Sequence, residues 1–274
     1  MKRFIFIVYS VLLTTLVFSE EKPLQVFFEA ESGALKILHH TYTVGSSGSI
    51  FNFVTQGGQE ILFPFERLTA GATLFDRHHI RFLYQSLELN TRITARDNFV
   101  IDSVNFASGD VVDITYGFPF YRFTYLYDFI PGKSELSLGA ALQFRNASIS
   151  FTTADGTKRA ISQNLGLVPA LALSGRVPFG TVFFAGFDAT GIYASSALFN
   201  GADFDFEGSI LDVSIRTGIV LQKGLESFVN FRFIGGSAAG VSQYPNEFWT
   251  QSVNKETSNY LATLALTIGG KLTF

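Results

Sequence analysis

Residues 260–274 read Tyr260-Leu261-Ala262-Thr263-Leu264-Ala265-Leu266-Thr267-Ile268-Gly269-Gly270-Lys271-Leu272-Thr273-Phe274. Every second residue from Tyr260 gives Tyr, Ala, Leu, Leu, Ile, Gly, Leu and Phe, and the alternate set gives Leu, Thr, Ala, Thr, Gly, Lys and Thr. Successive side chains of a strand point to opposite faces. One face is therefore apolar with an aromatic at each end, and the other is small and polar with one charge. A lipid-facing barrel strand has this pattern. So does an edge strand of a soluble sandwich, and the rest of the chain decides between them.

Working back from this stretch, alternation recurs nine more times, over residues of about 24–43, 60–75, 79–94, 111–130, 134–151, 160–177, 181–194, 209–222 and 226–236. The fourth segment shows it well: Tyr121, Phe123, Tyr125, Tyr127 and Phe129 oppose Arg122, Thr124, Leu126 and Asp128. The apolar register changes parity near Gly33, which reads as a β-bulge that turns Leu35 and Ile37 outward, and changes again near Ser86-Leu87. Pro169, inside the sixth segment, reads as a further bulge. The connections alternate in length. Those near 76–78, 131–133, 178–180 and 223–225 are short; those near 45–59, 95–110, 152–159, 195–208 and 237–257 are longer. Short turns at one end and long loops at the other are the habit of outer-membrane barrels. A strand in hydrocarbon must find all its hydrogen bonds within the protein, which forces closure. The expectation is an all-β fold: a single antiparallel transmembrane β-barrel of ten strands, with eight or twelve as alternatives if the first two segments are read differently.

Composition agrees. Charged residues are 16% of the 274, aromatics include 31 Phe and 10 Tyr, and there are 25 Gly. Soluble domains carry about 25% charge. No stretch after residue 20 approaches the ~18 apolar residues of a membrane helix. A net charge of −3 gives no reason to expect nucleic acid. The absence of cysteine excludes disulfides, thiol catalysis and thiolate metal sites. At the N-terminus, Lys2-Arg3 precede an apolar run from Phe4 to Val17, and Val17-Phe18-Ser19 suits cleavage before Glu20. Residues 1–19 are thus expected to be a secretory signal and 20–274 the barrel, in an outer membrane with both termini periplasmic.

The signal, the alternation and the terminal Phe274 resemble the transmembrane β-barrels of Gram-negative-type outer membranes. Arg77-His78-His79-Ile80-Arg81-Phe82-Leu83-Tyr84 and Phe120-Tyr121-Arg122-Phe123-Thr124-Tyr125-Leu126-Tyr127 are similar to segments of a small-barrel group within them, which brings no activity with it. The resemblance implies that the C-terminal strand ending in Phe274 is the signal read by the barrel-assembly machinery. It also implies outer-membrane lipid as a partner. Oligomeric state is left open.

Charges collect on the polar face: Arg67, Arg81, Arg122, Arg145, Arg176, Arg216, Arg232 and Lys271, with Glu29, Glu31, Asp128, Glu135, Asp188 and Asp212. A ten-stranded lumen is narrow and filled by side chains, so these are expected to form an interior ion-pair network. Lys271 is expected to meet Glu29 or Glu31. The excess of cations suggests, as the alternative, a narrow porin-like channel with slight anion preference. His39-His40 and His78-His79 point to opposite faces within each pair and cannot chelate jointly. Omptin-type proteases are similar in strand number, but no matching acidic pair motif occurs. No His-x-Ser sequence of outer-membrane lipid hydrolases occurs either. A membrane-embedded hydrolase is therefore the third reading, and no cofactor or metal is expected. Tyr244, Phe248 and Trp249 in the last long loop are the candidate ligand-binding or adhesive surface.

Overall fold

The computed structural model describes residues 24–45, 48–130, 132–195, 206–241 and 256–274. The expected signal at 1–19 and the loop aromatics Tyr244, Phe248 and Trp249 lie outside the described residues. The strands, in chain order, are β1 (Leu24–Val44), β2 (Phe51–Asn52), β3 (Leu62–Leu74), β4 (His78–Ser86), β5 (Glu88–Thr94), β6 (Phe99–Ile101), β7 (Val104–Phe106), β8 (Val111–Gly117), β9 (Phe120–Asp128), β10 (Glu135–Thr153), β11 (Arg159–Phe179), β12 (Phe183–Ser195), β13 (Phe206–Gln222), β14 (Leu225–Val241) and β15 (Glu256–Thr273). The ring β1-β3-β4-β9-β10-β11-β12-β13-β14-β15 closes back on β1, a closed antiparallel barrel of 10 strands. The stretch 260–274 is the closing strand. It pairs with β1 from Phe27↔Thr273 to Val44↔Thr257, and the Phe274 N–H donates to the Val26 carbonyl at 2.9 Å.

The outer wall is apolar. Phe28, Leu68, Phe82, Phe123, Leu138, Leu171, Ile215, Phe231, Leu266 and Ile268 all point away from the axis and are exposed. In water this area would be a liability; against acyl chains it is the expected surface. The expected alternation of turns and loops holds only in part: the connection at 154–158, expected to be one of the longer ones, is no longer than the turn at 129–134. Links at 75–77, 180–182 and 223–224 join the strands at the end that holds Leu24 and Phe274, and the long described connections, 48–61 and 87–119, lie at the other.

Several expectations need correction. There is no bulge at Gly33, and Leu35 and Ile37 do not face out: they continue the inward set of Glu29 and Glu31 and are 0% and 1% exposed. The β1 bulge lies between Ile37 and His39. Gly33 answers a different need, because a Cβ there would overlap the Leu266 carbonyl oxygen across the closing seam. Parity likewise holds through Ser86-Leu87: Leu83, Gln85, Leu87 and Leu89 are all buried, although the strand itself breaks at Leu87 into β4 and β5. Its neighbour breaks at the same level, at Phe118-Pro119, into β8 and β9, and the Phe118 N–H donates to the Leu87 carbonyl at 2.6 Å. Pro169 makes no bulge, since β10 and β11 pair without a shift through Leu142↔Pro169. Pairing of β11 with β12 extends only to Leu171, so the missing N–H faces no described β12 partner.

One cause explains the false parity changes. The 19 residues of β10 span about 60 Å at roughly 3.3 Å per residue. Tilted by about 40°, they rise well beyond an apolar band about 25 Å tall. Above that band the outside is polar, with Glu66, Glu88, Asn90 and Arg92 exposed, and the inside is apolar. The hydrophobic pattern inverts there while the strand runs on unchanged.

Candidate functional site

The lumen has two storeys. The lower one, towards the short turns, is ionic. Asp212 of β13 accepts from three guanidiniums: Arg67 at 2.9 Å, Arg122 at 2.8 Å and Arg232 at 2.7 Å, brought from β3, β9 and β14. Glu31 of β1 accepts from Arg232 at 3.2 Å, Asn230 at 2.8 Å and Thr267 at 2.8 Å. Gln143 receives Arg122 Nε and Nη2, and Gln85 receives Arg67. Each of these groups sits on an inward position, so the barrel's period of two brings together residues up to 236 positions apart in sequence. Such a centre is viable because each buried ion has several opposite or dipolar neighbours.

Nearer the turns a wetter ring follows. Arg216 bridges Glu29 at 2.9 Å and Asp188 at 2.6 Å; Arg81 joins Asp188 at 2.8 Å and Glu135 at 3.4 Å; Arg176 makes a two-pronged pair with Glu226, both bonds 2.8 Å. Phe184 and Phe228 point inward and carry the Arg176 and Arg216 guanidiniums at 3.9 and 4.8 Å from their ring centres. A cavity of about 100 Å³ lies among these groups. One water needs roughly 10–15 Å³ of such space, so there is room for several.

Of the expected network, Arg145 has a side chain outside the described residues. Asp128 is turned to the backbone and accepts from the Ile130 and Leu136 N–H groups. Lys271 does not pair with Glu29 or Glu31 within 4 Å; its ammonium lies 4.5 Å from the centre of the Phe27 ring, because Arg216 and Arg232 already hold those carboxylates. Sequence reasoning missed Glu226, which is in register with Lys271 and follows a turn too closely to show alternation. With it, the described inward set is seven cations (Arg67, Arg81, Arg122, Arg176, Arg216, Arg232, Lys271) and seven carboxylates (Glu29, Glu31, Asp128, Glu135, Asp188, Asp212, Glu226). The expected positive excess disappears among the described side chains.

The upper storey is apolar, which the expectation of a polar lumen did not foresee. Leu35, Ile37, Phe65, Leu87, Leu89, Val112, Ile114, Ile149 and Phe151 line it from the strands. Two connections fold inward to complete it. In the first, β2 pairs with β1 at Thr41↔Asn52 and Tyr42↔Phe51, and buries Phe51 and Phe53 at 1% and 0% exposure. In the second, the long connection near 95–110, the hairpin β6–β7 drives Phe99, Ile101 and Phe106 into the same cluster. The two are tied where the Ser49 N–H donates to the Val100 carbonyl and the Val100 N–H to the Ser49 hydroxyl, both at 3.0 Å. Ring contacts between Phe51, Phe53, Phe99, Phe106 and Phe151 are edge-on, tilted or stacked at centroid distances from 4.9 to 6.2 Å, the range of favourable aromatic packing. His40 is sealed in this storey, fully buried, stacked on Phe53 at 3.9 Å and 2.7 Å from Gln59 Oε1. His39 lies on the other face against Tyr260. At the opposite end, His79 faces inward near Thr73 and Glu135, and His78 outward on Tyr125. Among the described residues no His, Asp and Glu group has the spacing of a metal site.

No protein-family model matches the chain, and no curated protein matches it by sequence. The fold is similar to that of the outer membrane protease OmpT from Escherichia coli, with a TM-score of 0.51 at 10% identity, over 94% of this chain and 99% of that one. The transport unit of the autotransporter AIDA-I from Escherichia coli aligns over 97% of both chains at 9% identity with a TM-score of 0.41. A Pseudomonas aeruginosa FadL homologue aligns over 92% of this chain and 89% of its own at 9% identity with a TM-score of 0.36. Only the first likeness is close enough to bear on the fold, and at that identity it bears on nothing else. The architecture is that of an outer-membrane β-barrel.

Proposed function

We propose that this chain is an integral outer-membrane barrel with a closed lumen, and that it works through its loop end in a structural, ligand-binding or adhesive role. The observation that carries the reading is the upper storey. Phe51, Phe53, Phe99 and Phe106, supplied by two connections, fill the mouth above an ionic layer that itself crosses the lumen. A conducting pore needs a continuous wetted path, and the near-complete burial of Asp212, Arg122 and Arg232 speaks against one. Among the described side chains, which do not include that of Arg145, seven cations face seven carboxylates, so anion preference finds little support and the channel reading is the weaker one. A hydrolase finds little support in His40, which is enclosed by Gln59 and aromatic rings. In this reading the short-turn end, with both termini, faces the periplasm, and Phe274 serves assembly. A vesicle-swelling assay tests it: vesicles containing the folded barrel should swell in small sugars no faster than protein-free vesicles. Swelling at a porin-like rate would contradict it.

A further inference from the structure

The even count of described charges in the lumen hides one odd member. Six arginines meet six acids in ion pairs that run from Asp212 outward to Glu226. Asp128, the remaining acid, is turned to the Ile130 and Leu136 N–H groups. Lys271 is the remaining cation. It stands in register with Glu29 on one side and Glu226 on the other. Both carboxylates are drawn to arginines, Glu29 to Arg216 at 2.9 Å and Glu226 to Arg176 at 2.8 Å. Among the described residues the Lys271 ammonium therefore has no ion pair within 4 Å, and it rests on the Phe27 ring.

This ammonium borders the cavity of about 100 Å³, and Arg81 and Arg176 border it too. The two arginines are near enough to repel Lys271. Their bonds to Asp188, Glu135, Ser174 and Glu226 leave further guanidinium N–H groups unused. The space opens towards the turn end: the Arg81 and Arg176 side chains are 23% and 27% exposed, whereas that of Arg232, deeper in the barrel, is 1% exposed. Glu29, Glu135, Asp188 and Glu226 line the same space, so a fully deprotonated anion would be repelled as well as attracted. An oxyanion that keeps a proton suits both kinds of group. Its charged oxygens accept from the ammonium and the guanidiniums, and its O–H donates to a carboxylate. Inorganic phosphate at neutral pH has this chemistry.

We propose that this vestibule is a binding site for a protonated oxyanion of the phosphate class, held by Lys271 together with Arg81 and Arg176 and entered from the turn end. Binding there needs no path past Asp212. The purified, folded barrel in detergent micelles is titrated calorimetrically with inorganic phosphate at neutral pH and constant ionic strength, and separately with sulfate, which carries no proton at that pH. Phosphate should bind saturably, with one ion per barrel. Sulfate should bind roughly tenfold more weakly, the scale of one charge-assisted hydrogen bond. The Lys271→Met variant, its fold checked by heat modifiability, should lose about tenfold or more in phosphate affinity. Lys223 is exposed in the turn between β13 and β14, outside the cavity lining, and Lys223→Gln should bind phosphate as the unaltered barrel does. Absence of saturable phosphate binding would overturn the proposal, as would sulfate bound as tightly as phosphate. Undiminished binding by folded Lys271→Met, or an equal loss in Lys223→Gln, would overturn it too.

Discussion

Arg232 Nη1 lies 2.7 Å from Asp212 Oδ1, and each of the two side chains is 1% exposed. Two more guanidiniums, of Arg67 and Arg122, share the other oxygen of Asp212. A single carboxylate thus holds three buried cations from three strands, and the centre of the barrel depends on it.

The Asp212→Asn substitution keeps the shape and removes the charge. It leaves three guanidiniums, of which Arg232 alone keeps a carboxylate within 4 Å, Glu31. Breaking a buried pair from one side costs roughly 3–5 kcal/mol, because the remaining charge stays desolvated. Urea unfolding of the barrel in vesicles should show a loss of that order.

Lys271→Met gives the contrast. Lys271 rests on Phe27 and makes no ion pair within 4 Å, so the thioether keeps the packing and loses a cation–π contact and a longer-range attraction to Glu29 and Glu226. Such contacts contribute about 0.5–2 kcal/mol. The same unfolding measurement should place this variant close to the unaltered barrel. A loss as large as that of Asp212→Asn would mean that the ammonium is a working member of the network.

The legibility of this molecule in its sequence follows from where water and lipid lie. Strand number, turn placement and the inward positions of Asp212, Arg232 and Glu31 were readable, because across the membrane the outside is apolar and the inside polar. Above the membrane the two environments exchange. Leu35, Ile37, Leu87 and Leu89 then carry the signature of outward residues while facing the axis. The folding-in of Phe51, Phe53 and Phe99 was not readable at all, since alternation describes a strand and says nothing of which loop enters the mouth. Lys271 was misjudged for a different reason: partner choice depends on which acids the arginines have already taken.

Gly33→Val should block closure. The added Cβ would overlap the Leu266 carbonyl oxygen at the seam of β1 and β15. An unclosed barrel leaves strand edges unpaired in lipid, at a cost of several kcal/mol for each unmet group. The variant should therefore remain at its unfolded position in heat-modifiability gels. A variant that migrates as the native form would show that the seam can yield.

Removal of Phe274 should impair insertion in cells. Its N–H ties the end of the chain to Val26, and its ring ends the apolar face of the last strand. Membrane-integrated, heat-modifiable protein at normal levels would count against an assembly role.

The turn at Asp155 should loosen in acid. Hydrogen bonds from the Thr153 hydroxyl and from Thr157 hold its carboxyl down to about 2, below the ordinary 3.8. A depressed carboxyl stabilises above its unfolded value and ceases to do so as pH falls through the folded one. Protection of the Thr157 amide, bonded to Asp155 at 3.1 Å, should decline as pH falls from about 4 to about 2 and be level above that window.

The most direct test of the closed lumen is electrical. The purified, folded barrel is added to a planar bilayer under voltage, and single-channel current is recorded over a range of salt. The two storeys predict a flat baseline at all potentials that the membrane tolerates. Stable, reproducible conductance steps from the unaltered protein would contradict it.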